Sequence, residues 1–114
     1  MRELKFRAWD EENKNIVYAL FKEEGIGELR QGELIDRYDI VMQYTGLKDK
    51  NKREVYFDDI FRTKYGIGVI VWMDDRLGIA SGKIGEYHAV DEISKKEIED
   101  GEVIGNIYEN PELF

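Results

Sequence analysis

A mainly β domain with one short helix is the fold class this sequence predicts, on three observations. Leu4, Phe6 and Ala8 alternate with Lys5 and Arg7, the period of two of a half-buried strand. The run Ile67–Met73 is apolar and rich in β-branched residues, yet far too short for a membrane helix and bounded by turn residues. Glycine-containing and Asp-containing turn signals recur at close spacing, which suits a small barrel or sandwich better than alternating β-α units.

Taken in order, the first strand ends at a polar turn, Asp10 to Asn15. Ile16 to Phe21 returns as the second strand of a hairpin. Lys22 to Asp39 carries three glycines and weak periodicity, so it is read as irregular, with a short helix near Glu33 to Tyr38. Ile40 to Tyr44 is the third strand. A polar turn over Lys48 to Lys52 separates it from the short strands Glu54–Phe57 and Ile60–Lys64, which Asp58-Asp59 divides. Tyr65-Gly66 turns the chain into Ile67–Met73, expected at the centre of the sheet with Trp72 in the core. Asp74-Asp75 ends it. Lys83 to Val90 is a weaker strand. Asp91 to Glu99 reads as a short helix, with Asp91 as its cap and Gly101 beyond its end. Val90, Ile93 and Ile98 give it a thin apolar face. Val103 to Tyr108 is the last strand, closed by Asn110-Pro111.

At 114 residues, with 42% hydrophobic side chains, the chain has the size of one domain with a core of its own. The sequence contains no cysteine, which removes disulfides, thiolate catalysis and Cys-based zinc sites. No signal peptide or membrane-length apolar segment is visible, so a cytoplasmic protein is expected. The formal net charge is −8, unevenly placed: residues 1–85 hold 16 acids against 15 bases, a net of −1, and residues 86–114 hold 9 against 2, a net of −7. An acidic field repels phosphate backbones, so nucleic acid is a disfavoured partner. The basic cluster Lys48, Lys50, Lys52 and Arg53 is the local exception and the candidate nucleic-acid contact.

Few residues suggest chemistry. His88 is the only histidine, and no G-x-S-x-G elbow presents a serine to it. Ser81, Ser94, Thr45 and Thr63 are the hydroxyls a triad would need, and nothing in their spacing points to one. Asp58-Asp59 and Asp74-Asp75 could offer hard oxygen ligands to Mg²⁺ or Ca²⁺, or an acid and a base. Against that, Asp bonds its own backbone in turns and adjacent strand residues point to opposite faces. They stay weak metal candidates, and no cofactor is expected. Gly25-Ile26-Gly27 and Gly66-Ile67-Gly68 lack the rest of a phosphate-binding loop. Trp9 stands among Lys5 and Arg7. With Phe6 and Tyr18 it is a candidate interface anchor. The competing reading packs both faces of the hairpin inside the domain.

Three segments carry a resemblance. Residues 1–10 read M-R-E-L-K-F-R-A-W-D, residues 42–51 M-Q-Y-T-G-L-K-D-K-N and residues 102–113 E-V-I-G-N-I-Y-E-N-P-E-L. In this order and spacing the chain resembles the YopX family of phage and prophage proteins, end to end. The resemblance implies an SH3-like barrel, a bacterial host cell and no transferable catalytic residues. Two positions depart from the family pattern. Lys52 stands where Gly usually follows Asp49-Lys50-Asn51, so a turn of another type is expected there, since left-handed backbone strains a side chain. Asp58 replaces the Gly of an E-G-D-I pattern, which puts a bulge or close backbone approach in doubt.

The resulting expectation is a single domain over 1–114, with an N-terminal hairpin and irregular extension over 1–39 and an SH3-like barrel region over 40–114. Its expected role is that of a phage- or prophage-encoded accessory protein, non-enzymatic, which binds a host or phage protein or assembles with itself. Two alternatives stand beside it: nucleic-acid binding through Lys48–Arg53, and a metal-dependent hydrolase using Asp58, Asp59, Asp74 and Asp75.

Overall fold

The computed structural model describes residues 5–18, 38–83 and 86–113. It divides into two compact units, Met1–Tyr44 and Thr45–Phe114. The helix expected near Glu33 to Tyr38 and most of the irregular segment before it lie outside the described residues.

In the first unit, β1 (Phe6–Asp10) is the middle strand, between β2 (Asn15–Tyr18) and the beginning of β3 (Ile40–Lys48). Both pairings are antiparallel, with Ala8 opposite Val17 on one side and Val41 on the other. A strand flanked on both edges can be buried on both faces, and here Arg7, Ala8 and Trp9 are all buried. Phe6, Val17, Tyr38 and Val41 pack against Ala8. The β1–β2 turn is held by Asp10, whose Oδ1 accepts the amides of Glu12 and Asn13, each at 3.1 Å.

β3 continues into the second unit, where β4 (Glu54–Tyr56) is its neighbour. Then come β5 (Asp59–Thr63), β6 (Gly66–Met73), β7 (Arg76–Lys83) and β8 (Glu86–Glu92), followed by helix α1 (Lys95–Asp100) and β9 (Glu102–Asn106). The order β8-β7-β6-β5-β9 makes an antiparallel sheet with β6 at its centre, as its composition predicts. Val55, Phe61, Ile70, Ile93, Ile98 and Val103 form the core. The mainly β class with one short helix is the class observed, consistent with the expected small barrel. No helix among the described residues is long and apolar enough to cross a membrane.

Four expectations need correction. Residues 76–82 form most of a full strand, β7, which Gly78 and Gly82 hide from a propensity argument. The helix begins later than Asp91, which with Glu92 belongs to β8. Its N-cap is Ser94, in a capping box with Glu97: each residue's side chain accepts the other's amide. Trp72 is not core but 54% exposed. Lys52 does not avoid the left-handed backbone, contrary to what its side chain predicts. It takes φ 66°, the left-handed region a Gly would occupy.

Candidate functional site

The residues most suggestive of chemistry are largely engaged in holding turns. Asp49 is the clearest case, and sequence reasoning passed over it as a break in a basic cluster. Its side chain is 3% exposed. Oδ1 accepts the amides of Asn51 (2.8 Å) and Arg53 (2.9 Å), and Oδ2 accepts the amide of Val103 (2.9 Å) on β9. The Lys50 amide also donates to the Gly101 carbonyl. One buried carboxylate thus fixes the loop and ties it to β9, while Lys48, Lys50, Lys52 and Arg53 stay exposed around it. The signal was the Asp itself: an acid that accepts local amides is what a turn of this kind requires.

Each weak metal candidate has a place in a turn or strand end. Asp59 is buried and its Oδ2 accepts the Tyr56 amide at 2.8 Å. Asp58 sits at φ 73°, a left-handed backbone that favours glycine. Its Oδ2 accepts the Tyr108 hydroxyl at 3.1 Å, and its carbonyl accepts the Ile107 amide. Asp74 and Asp75 both have positive φ, 41° and 72°. They form the two-residue link between β6 and β7, where mirror-image turns match strand twist and Asp tolerates the geometry. Among the described residues no group of three or more His, Asp or Glu could hold a metal.

Three of the four candidate hydroxyls are engaged as well. Thr45 Oγ1 donates to the Val55 carbonyl at 2.7 Å, Thr63 Oγ1 accepts the Tyr65 amide, and Ser94 caps α1. His88 lies in β8, and its side chain is outside the described set. The closing segment is consumed likewise. Asn106, 3% exposed, accepts the Tyr108 and Glu109 amides through Oδ1, and Asn110 Oδ1 accepts the Asn106 amide. Gly105 is required there, since a Cβ would stand 2.5 Å from Asn110 Oδ1.

The interface candidates separate. Trp9 is 6% exposed, and its Nε1 donates to Glu11 Oε2 at 2.6 Å, so little of it is presented to a partner. Phe6 is partly buried against Ala8. Tyr18 is 50% exposed. Hydrogen bonds from Lys14 and then Trp9 lower the Glu11 carboxyl below its ordinary value. Beside Trp9 lies a cavity of about 550 Å³ rimmed by Asp10, Glu11, Glu12 and Asp39.

With Tyr18 and Tyr65, Trp72 is one of three largely exposed aromatics among the described residues. Its ring meets Phe57 edge-on, with centroids 5.5 Å apart and planes at 83°. Phe57 and Leu77, the residue opposite Trp72 on β7, pack on the core. Trp72 therefore stands on a rigid base with over half its surface in solvent. Tyr65, 79% exposed, lies on the β5–β6 turn beside a smaller cavity of about 290 Å³ that also touches Lys96 and Asp100.

Comparisons with known proteins place these features in a family. The model of the family described as YopX protein matches residues 5–114. The fold resembles the crystal structure of protein EF1440 from Enterococcus faecalis, with a TM-score of 0.63, 26% sequence identity and 99% of each chain covered. No curated protein matches.

Proposed function

This chain belongs to the YopX family, and from that premise we propose that it is a phage- or prophage-encoded accessory protein of the bacterial cytoplasm that works by protein contact, without catalysis. One observation carries the reading: Trp72, 54% exposed on the central strand and backed by Phe57. Tryptophan is among the residue types enriched at binding hot spots. The engagement of Asp49, Asp58, Asp59, Asn106, Thr45, Thr63 and Ser94 in local hydrogen bonds supports the same reading, since those groups have a structural role already.

The test is capture and self-association measured together. Wild type, Trp72→Ala and Tyr18→Ala are compared by light scattering and by co-purification from a bacterial lysate. Trp72→Ala is expected to lose an assembly or a specific partner while its circular dichroism is unchanged. Retention of the same mass and the same partners by Trp72→Ala sinks the proposal.

A second reading has its own observation, the loop that Asp49 holds with its cations exposed. Such a loop is preorganised to contact phosphates. It predicts binding to nucleic acid that weakens steeply with salt, and that reversing Lys50, Lys52 and Arg53 abolishes. Binding indifferent to salt, or none at low salt, removes it.

A further inference from the structure

β8 is the outermost strand of the order β8-β7-β6-β5-β9, and among the described residues its only pairing is with β7. Four consecutive residues on it, Ala89, Val90, Asp91 and Glu92, are exposed. Successive strand residues point to opposite faces, so neither face of this stretch is covered. β6 differs sharply, with Val69 and Ile70 both fully buried. The register with β7 is regular from Gly78↔Glu92 to Ser81↔Ala89 and shifts only beyond that point. A regular, uncovered edge strand is a template for another strand.

The charges on β8 select the partner. Glu86, Asp91 and Glu92 are acidic, and the strand contains no Lys or Arg. Two copies of β8 laid edge to edge would crowd like charges together, which is destabilising. Arg76 pairs with Glu92 at 3.1 Å. Asp91 makes no side-chain hydrogen bond or ion pair among the described residues. Val90 supplies apolar surface: its Cγ1 reaches to 3.2 Å from where a Cβ on Gly78 would stand, and the residue is still 42% exposed.

We infer that β8 is a docking edge for an extended, basic segment of a partner protein, which adds as a further strand along Ala89–Glu92 and sets Lys or Arg side chains near Asp91 and Glu92. The inference rests on the reading that this protein acts by protein contact, and it names a surface other than Trp72. Strand addition draws affinity from main-chain hydrogen bonds and selectivity from alternate side chains.

The test uses a short labelled peptide alternating Lys with Thr and Val, and the same peptide with Pro at its centre. Fluorescence anisotropy reads binding, and amide hydrogen exchange reads protection of Ala89–Glu92. The alternating peptide is expected to bind and to protect those amides. Its Pro form, which lacks a donor and breaks the added strand, is expected to bind at least about tenfold more weakly. Asp91→Lys is expected to weaken binding by about tenfold, whereas Glu99→Lys on α1, with the same change in net charge, leaves it intact. Trp72→Ala also leaves it intact. Absence of binding, equal binding of the Pro peptide, or equal loss in Glu99→Lys overturns the inference. If peptide binding fails while partner capture still depends on Trp72, the β8 edge is rejected and the protein-contact reading survives. If the peptide binds as expected and Trp72→Ala changes nothing, the edge stands and Trp72 does not.

Discussion

Trp9 and Trp72 mark two regions with opposite logic. Trp9 stands in a hairpin whose sequence is thick with charge, yet it is 6% exposed. Trp72 belongs to the most apolar strand of the chain, yet it is 54% exposed. Both strands are interior in their sheets, so the position along the strand and the cover over its faces decide the difference. β1 has a neighbour on each edge, and both its faces are covered. β6 is also central, but Trp72 lies near the end that runs out into the Asp74-Asp75 turn, and burial stops at Ile70. The hydrophobicity of neighbours in sequence is thus a poor guide to whether a tryptophan is interior.

The comparison can be broken first at Trp9. Trp9→Ala is expected to destabilise the fold by about 3–5 kcal/mol, as for other buried aromatics. Urea unfolding followed through Trp72 emission measures it, and a loss under about 1 kcal/mol would place Trp9 outside the core. Asp49→Ala comes next. Three amides lose their acceptor, that of Val103 in a buried setting, and a loss of about 3 kcal/mol is expected. Thermal unfolding monitored by circular dichroism reads it, and an unchanged midpoint would mean the loop holds without its carboxylate.

Trp72→Ala should cost only about 1 kcal/mol, the scale of an edge-on aromatic contact with limited burial. Its large effect is expected on association instead, so the two tryptophans should separate stability from binding. Lys52→Gly is expected to raise stability by about 0.5–1 kcal/mol, because glycine relieves the left-handed strain and gives back part of the gain as backbone entropy. A decrease would show that the Lys52 side chain contributes contacts of its own.

The smallest effect concerns Glu11. Its folded carboxyl titrates below its ordinary value because Lys14 and Trp9 bond the charged form. A depressed acid contributes stability above the unfolded-state value and loses it as pH falls through the folded one. Nuclear magnetic resonance titration should therefore show a low Glu11 midpoint that Lys14→Ala moves upward. An unmoved midpoint would discard the Lys14 bond as its cause.

Much of the fold was legible. β1, β5 and β6 announce themselves by period and by β-branched content, and Gly101 marks the end of α1 as expected. β7 was not legible, because Gly78 and Gly82 carry no side chain to advertise a strand. The helix start was misplaced because Asp91 and Ser94 are both good caps. The box completed by Glu97, together with the pairing of Asp91 to Ile79, selects Ser94. Of the candidate surface, Tyr18 and the exposed cations are legible in the sequence, whereas Trp72 and the β8 edge are not.

The sequence by itself determined the strand-rich class, the acidic C-terminal quarter and the positions of the Asp-rich turns, whereas the left-handed backbone at Lys52 and Asp58 appeared only in the structure. The first three follow from local rules: period, charge count and the turn chemistry of Asp. Only the tertiary structure decided which aromatic faces solvent, which carboxylate is buried as a loop clasp and which strand lies at an edge. Those properties depend on neighbours distant along the chain, as when Asp49 reaches Val103, and no local pattern encodes what a folded sheet brings beside a residue or leaves uncovered.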